Sequence, residues 1–232
     1  MQKTEVLTSG NYYHIYNCGI NGTQIFKEPN NYEHFLFLYD KYIEPIADTI
    51  AWVLMGNHFH FLVSIKENVE YKYSKAKFHT DSSNADSSGD TVRFEEVKWQ
   101  TTDLPAREAS DCIKKPKPHL HFSHMFNAYT KYFNKRYSRH GTLFERPFKR
   151  KWITNKYYLK QVILYIHNNP VHHGFCRHPL EYPWSSYLSS ISVKTTWLKQ
   201  KSVIGWFDDV ANFKYMHNKK VDAERIEKML EI

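Results

Sequence analysis

The sequence contains no long hydrophobic run. Its apolar stretches, such as residues 50–55 and 59–63, are far shorter than the roughly 20 residues that cross a bilayer as a helix. The first residues, MQKTE, are polar and do not resemble the apolar core of a secretory signal. We therefore expect neither a transmembrane helix nor a signal peptide.

Cysteine is also scarce. The chain has three cysteines, Cys18, Cys112 and Cys176, and no two of them are in a CxxC spacing. An odd, scattered set is not typical of a disulfide framework or of a cysteine zinc site. The pattern favours a reducing compartment, and we expect a cytoplasmic protein.

Acidic residues are rare in one segment of an otherwise mixed sequence. The net charge is +8, but residues 119–190 carry 11 Lys and Arg against 2 Asp and Glu, whereas residues 1–118 carry 13 against 16. Aromatic residues interleave with the positive charge of this segment, a pattern typical of sites that bind single-stranded nucleic acid. A solvated basic helix face over an aromatic core is the alternative.

The hydrophobic periodicity predicts the element order β, α, β, β, followed by α, β, α. The first strand covers residues 11–16, and the runs 50–55 and 58–65 form a hairpin around Gly56-Asn57. A strand at 144–154 contains Pro147, which favours an edge position. This order predicts an α+β fold with helices packed on one face of a small antiparallel sheet.

Polar and proline residues mark the predicted helix ends. Asn30 or Asn31 can cap the first helix, and Asn155 can cap the last helix of the pattern, which we expect to stop at Pro170.

Two segments do not fit this pattern. Residues 68–118 include a tract poor in apolar residues, 79–90, and we expect a poorly ordered insertion there. Residues 191–232 begin as a loop rich in Ser, Lys and Thr and end in a helical pattern at 221–230, which predicts an appended, partly helical tail. The main domain would then comprise residues 1–67 and 119–190.

The sequence His58-Phe59-His60 is a candidate metal site. On a strand, side chains two positions apart project from the same face about 7 Å apart, so both imidazoles would point to the same side. Two neutral imidazoles form half of a divalent metal site. A chain with 14 histidines also contains such a pair by chance, so ordinary hydrogen-bonded histidines are the alternative.

Tyr165 and Asn169 form a second candidate pair. Four positions apart on a predicted helix, they lie on the same face, beside the apolar stripe of that helix. A tyrosine that only packs its ring in an interface is the alternative.

Several motifs together resemble one protein family. The string AWVLMGNHFHFLV at residues 51–63 resembles the HUH motif (histidine, hydrophobic, histidine) of the single-tyrosine transposases, and YIHNNPV at residues 165–171 resembles the tyrosine helix of the REP-associated tyrosine transposases. Three more strings are similar to that group and follow in its order: YHIY at 13–16, HGTLFERPF at 140–148 and PWSSY at 183–187. The resemblance covers residues 10–67 and 119–190.

The resemblance implies a ferredoxin-like domain that cuts and rejoins single-stranded DNA through a covalent 5′-phosphotyrosine. Tyr165 matches the nucleophile, His58 and His60 match two metal ligands, and Asn169 matches the third. Two imidazoles and an amide oxygen suit Mg²⁺ or Mn²⁺. Single-stranded or hairpin DNA is the implied partner, and both a homodimer and a monomer stay open.

The basic residues between Lys131 and Lys151 are the expected DNA contacts. The candidates are Lys131, Lys135, Arg136, Arg139, Arg146, Lys149, Arg150 and Lys151. Two other functions stay open: a domesticated DNA-binding protein that no longer cuts, and a metal-dependent RNA-binding protein.

Overall fold

The structure is a computed structural model that describes residues 5–73, 97–101, 113–194, 196–219 and 222–230. Contacts divide the chain into two units, Met1–Lys66 with Pro118–Ile232, and Glu67–Lys117. The strands are β1 (Tyr12–Cys18), β2 (Ala47–Met55), β3 (His58–Ile65), β4 (Val69–Tyr73), β5 (Val97–Thr101), β6 (Ile113–Lys114) and β7 (Lys149–Ile153). The helices are α1 (Pro29–Tyr42), α2 (Pro118–Arg136), α3 (Lys156–His172), α4 (Tyr187–Ile191), α5 (Gln200–Trp206), α6 (Val210–Asn218) and α7 (Ala223–Leu230).

The first unit contains a four-stranded sheet in the order β2-β3-β1-β7, and every neighbouring pair is antiparallel. With α1 between β1 and β2, and α2 between β3 and β7, this is the ferredoxin-like arrangement. The α+β class and the antiparallel sheet are therefore confirmed. The strand that follows Pro147 lies at the sheet edge, as the proline predicts.

Helices cover both faces of this sheet, so the prediction of helices on one face holds for α1 and α2 but is wrong for α3. On one face, the Phe59 ring packs against Phe35 of α1 and Phe126 of α2. On the other face, Leu62 belongs to a buried cluster with α3 residues such as Val162. The physical reason is visible in residues 50–55, whose uninterrupted apolar run is typical of strands buried on both sides.

The last 40 residues contribute a layer over α3. Only the final part was predicted to be helical, whereas the structure has α5, α6 and α7 there. Val203, Phe207, Phe213 and Ile226 from these helices are buried in the cluster that contains α3. This layer is why α3 is enclosed between the sheet and the C-terminal helices.

Two predicted helix boundaries are wrong. The first helix begins at Pro29 without a side-chain cap, and the Asn31 side chain accepts a hydrogen bond from the Lys27 N–H at 2.9 Å. Pro170 lies inside α3, which continues to His172, so the proline does not end the helix where the sequence predicts. The Asn155 cap is confirmed, since its Oδ1 accepts from the Tyr158 N–H at 2.8 Å.

The second unit contains a three-stranded antiparallel sheet in the order β5-β4-β6. It falls within the predicted insertion. The tract 79–90, on which the prediction of weak order depends, lies outside the described residues. Among the helices in the described parts of the chain, none has the length and hydropathy of a membrane span.

Candidate active site

Strand β3 presents both histidines of the His-x-His motif to α3. His58 lies opposite Met55 on β2, and His60 lies opposite Tyr16 on β1. Their ring centroids are 5.3 Å apart. Because Phe59 between them packs on the other face, the alternation of the strand directs the two imidazoles to the same side.

Helix α3 places Tyr165 and Asn169 over these histidines within a single chain. The Tyr165 ring lies edge-on to His60, with the centroids 5.5 Å apart. The Asn169 Oδ1 atom is 3.1 Å from the Nε2 atom of His58. The structure thus brings together all four residues that the sequence suggested, although about 100 positions separate the two pairs.

The donor atoms of this group fit a divalent metal ion. Octahedral ligands about 2.1 Å from one ion and at right angles are about 3 Å apart, which matches the separation of the Asn169 and His58 donors. Asn169 is completely buried, and its Nδ2 atom has no hydrogen-bond partner among the described residues. In the described parts of the chain, no group of three His, Cys, Asp or Glu side chains suited to a metal occurs.

His14 contacts His60 and was not among the site residues predicted from the sequence. Its Nε2 atom is 2.9 Å from the Nδ1 atom of His60, and the two rings are stacked. This contact leaves Nε2 of His60 for an ion and fixes the ring orientation, the usual role of a second layer around metal-binding histidines. His14 lies in a Tyr- and Ile-rich strand, and only the strand register reveals its neighbour.

The environment keeps these imidazoles neutral. Burial lowers the pKa of His14 to about 3 and that of His58 to about 4, and burial also lowers the pKa of His60 well below its ordinary value. Asn169 opposes the shift at His58 by hydrogen bonding, but burial outweighs it. Neutral imidazoles are the form that binds metal ions.

The hydroxyl of Tyr165 is covered in this conformation. The residue is 3% exposed, and its O–H donates to the Oε1 atom of Glu227 on α7 at 3.3 Å. Burial raises the pKa of Tyr165, and the Glu227 carboxylate raises it further. Beside the tyrosine lies a cavity of about 450 Å³ whose lining includes His172, Arg177 and Lys219. Arg177 and Lys219 are positively charged, so a phosphate group could approach past these two side chains.

The predicted basic residues of α2 and the loop after it differ in their partners. Lys131 and Lys135 are exposed. The Arg136 guanidinium, in contrast, forms an ion pair with Glu28, and the Arg139 guanidinium donates to Asn134 Oδ1 at 2.9 Å. Arg136 is thus the weakest candidate for a DNA contact, because its charge is already compensated.

Because side chains alternate along β7, its positively charged residues lie on opposite faces of the sheet. Lys149 lies opposite Tyr16 and Lys151 opposite His14, on the face of the histidines. The Lys149 Nζ atom lies 5.9 Å from the centre of the Tyr16 ring, which itself stacks on His60. Arg150 points to the other face.

Comparisons with known proteins find a solved structure with a similar fold. No family model matches the chain, and no curated protein matches it. The chain is similar to a solved REP-associated tyrosine transposase bound to a REP hairpin, with a TM-score of 0.49 and 14% identity, over 82% of this chain and 85% of that one. The function proposed below rests on the residues of this chain.

Proposed function

We propose that the protein is a metal-dependent enzyme that nicks single-stranded DNA and transfers the cut strand, with Tyr165 as its nucleophile. One observation carries the proposal: a phenol, two neutral imidazoles and a buried amide oxygen meet on one face of the sheet. A tyrosine that only packed in an interface would need none of these neighbours. The motif resemblance of residues 51–63 and 165–171 supports the same assignment.

In the proposed reaction, the Tyr165 oxygen attacks a phosphorus atom of the DNA backbone. The bond from phosphorus to the 3′-oxygen breaks, which leaves a 5′-phosphotyrosine and a free 3′-hydroxyl. The phenolic proton passes to water as the new bond forms, and the departing 3′-oxygen takes up a proton from water to become the hydroxyl. Because the phosphodiester is conserved in the covalent intermediate, a second 3′-hydroxyl can reverse the reaction and join a strand.

His58, His60 and Asn169 would hold the divalent metal ion, Mg²⁺ or Mn²⁺. When bound, the ion polarises the phosphoryl oxygens and orients the leaving group. His14 orients His60 through their hydrogen bond. Helix α3 places the buried Asn169 side chain with its Oδ1 atom 3.1 Å from His58 Nε2, and its Nδ2 atom has no hydrogen-bond partner in the parts of the chain that the structure covers.

The substrate would be single-stranded or hairpin DNA. Lys149 and Lys151 lie on the face of the histidines and can contact the backbone near the cut phosphate. All four proposed site residues come together within one chain in this structure, which supports a site formed by a single subunit.

The test is the formation of a covalent adduct. The purified protein is incubated with a labelled hairpin that carries a single-stranded extension, in Mn²⁺, and is separated under denaturing conditions. We expect an adduct with the wild type and with Tyr215→Phe, a matched exposed tyrosine, but none with Tyr165→Phe. No adduct with the wild type, or an adduct with Tyr165→Phe, would contradict the proposal.

A DNA-binding protein that no longer cuts is the second candidate, and the burial of the Tyr165 hydroxyl against Glu227 favours it. In that case the wild type would shift the hairpin in a native gel and form no adduct in Mn²⁺. Running a matched RNA hairpin beside the DNA also tests an RNA substrate, because the 2′-hydroxyl is the only systematic difference on the sugar.

A further inference from the structure

Arg150 faces away from the proposed active site. On β7 it lies opposite Ile15, which in turn lies opposite Phe61 on β3. The Phe61 ring stacks on Tyr39 of α1, so this is the face covered by α1 and α2. Arg150 therefore cannot contact DNA where Lys149 and Lys151 do.

The Arg150 guanidinium has unused hydrogen-bonding capacity. Its Nε and Nη1 atoms are buried, and neither has a hydrogen-bond partner in the parts of the chain that the structure describes. The guanidinium carbon lies 4.7 Å from the centre of the Phe148 ring, which holds the group in place. Buried donors without acceptors are rare in proteins and point to a missing partner.

A groove of about 500 Å³ lies beside this guanidinium, between α2 and the residues that lead into β7. Its lining includes Arg146 and Arg150, together with polar side chains of α2 such as Ser123, Asn127 and Thr130. The exposed Arg146 makes a long contact, 3.5 Å from its Nη2 atom to Asn127 Oδ1, and no shorter one within the described ranges. One carboxylate, that of Glu145, lies in the lining with the two guanidinium groups, and a second, that of Glu5, interacts electrostatically with Arg150 and accepts a hydrogen bond from the Trp152 N–H.

An exposed aromatic ring continues this surface. Trp152 lies two residues after Arg150 on β7 and therefore projects from the same face. It is 47% exposed. A cation beside an exposed ring is the combination that binds one nucleotide of a single strand, with the phosphate on the cation and the base on the ring.

We propose that Arg150 and Arg146 bind a backbone phosphate of single-stranded DNA on the far face of the sheet, with a neighbouring base stacked on Trp152. The inference rests on the proposed function for the identity of the ligand. The DNA strand would then contact both faces around β7, the edge strand of the sheet, with Lys149 and Lys151 on one side and Arg150 on the other. This site contributes affinity and contains none of the reacting groups.

The inference is tested by DNA affinity in a Tyr165→Phe background, which separates binding from cutting. Binding of a labelled hairpin with a single-stranded extension is measured by fluorescence anisotropy at several salt concentrations. We expect Arg150→Gln to weaken binding about fivefold to tenfold at low salt and to lower the salt slope by about 0.7, the value for one phosphate contact of a single strand. Trp152→Leu should weaken binding with little change in the salt slope.

Control variants separate this effect from misfolding and from loss of net charge. Lys201→Gln on α5 and Phe37→Leu on α1 remove an exposed cation and an exposed ring elsewhere, and both should bind DNA like the parent. If Arg150→Gln shows a lowered melting temperature, Arg146→Gln provides the same test, because the exposed Arg146 side chain is not part of the core.

The possible outcomes are distinguishable from those of the adduct experiment. If Arg150→Gln and Arg146→Gln both bind DNA like the parent at every salt concentration, the inference is wrong, even if the wild type forms an adduct. If inorganic phosphate raises the melting temperature of the wild type but not of Arg150→Gln, while their DNA affinities agree, the groove binds free phosphate and the inference is again wrong. Weakened binding by Arg150→Gln without any wild-type adduct would uphold the site and contradict the proposed cutting.

Discussion

The hydroxyl of Tyr165 donates a hydrogen bond to the Glu227 carboxylate at 3.3 Å, although the two residues are 62 positions apart. Glu227 belongs to α7, and its Oε1 atom is also 4.0 Å from the His172 Nε2 atom. The negative charge of this carboxylate disfavours both a phenolate at Tyr165 and the approach of a phosphate group.

We expect Glu227→Gln to increase the rate of adduct formation by about threefold or more. The amide keeps the shape of the side chain but removes a negative charge next to the phenol and the DNA, and each pKa unit relieved at Tyr165 corresponds to about 1.4 kcal/mol. The rate is measured with saturating hairpin DNA and Mn²⁺. Glu224→Gln, an exposed carboxylate on the same helix, is the matched control. A decrease with Glu227→Gln would instead assign the carboxylate the role of proton acceptor.

His14→Gln should raise the Mn²⁺ concentration required for half-maximal adduct formation by about 10-fold to 100-fold. The substitution removes the imidazole that orients His60, and losses of this size are typical for the second layer of a metal site. His34→Gln, in a histidine stacked on Tyr132 away from the site, should leave the Mn²⁺ requirement unchanged. An unchanged requirement in His14→Gln, with normal thermal stability, would show that His14 does not act on the metal.

Two buried histidines away from the site should make stability depend on pH. Burial lowers the pKa of His217 and of His121 to about 4 each in the folded protein, against 6.5 in the unfolded chain. Between about pH 6.5 and pH 4 the unfolded chain binds protons that the folded chain does not. As the pH is lowered through this range, the free energy of unfolding should therefore decrease by about 1.4 kcal/mol per pH unit for each histidine. Above about pH 6.5 the two should have no effect.

The measurement is urea denaturation at several pH values. In His121→Gln, the free energy of unfolding should depend less steeply on pH between pH 6.5 and pH 4, because one of the two histidines no longer contributes. The same slope in this variant and in the wild type would contradict the assignment.

Ser186→Ala should lower the free energy of unfolding by about 1–3 kcal/mol, because it leaves buried groups without partners. The Ser186 Oγ atom accepts from the Trp52 N–H at 2.8 Å and lies 2.8 Å from the His167 Nε2 atom. His217 donates through Nδ1 to the Phe213 carbonyl, so the Nε2 atom of His217 is an acceptor. That atom accepts from Nδ1 of His167. Nε2 of His167 is then an acceptor too, and it accepts from the Ser186 hydroxyl. Thermal or urea denaturation measures the loss, and the exposed Ser202→Ala should remain within about 0.5 kcal/mol of the wild type.

The sequence predicts the sheet and the residues of the site because both depend on local patterns. The hairpin around Gly56-Asn57 follows from turn chemistry, and alternation alone turns His58 and His60 to one side. Tyr165 and Asn169 share a helix face by their spacing. That the two pairs meet depends on the packing of α3, which only the motif resemblance suggested.

Other features depend on tertiary packing that local patterns do not encode. The second helical layer follows from the two-sided burial of residues 50–55, and a short apolar run of this kind cannot be distinguished from a buried helix segment by its periodicity. The helices α5 and α6 are short, and their apolar residues become informative only when placed against α3. The partners of His14 and Arg150 are set by strand register, which propensity does not specify.

Mass spectrometry of the protein after reaction with hairpin DNA and Mn²⁺ tests the central claim most directly. After digestion with nuclease and trypsin, we predict a nucleotide attached to Tyr165, in the peptide from Gln161 to Arg177. Attachment instead to Tyr16, whose ring stacks on His60, or no attached nucleotide at all, would contradict the claim that Tyr165 is the nucleophile.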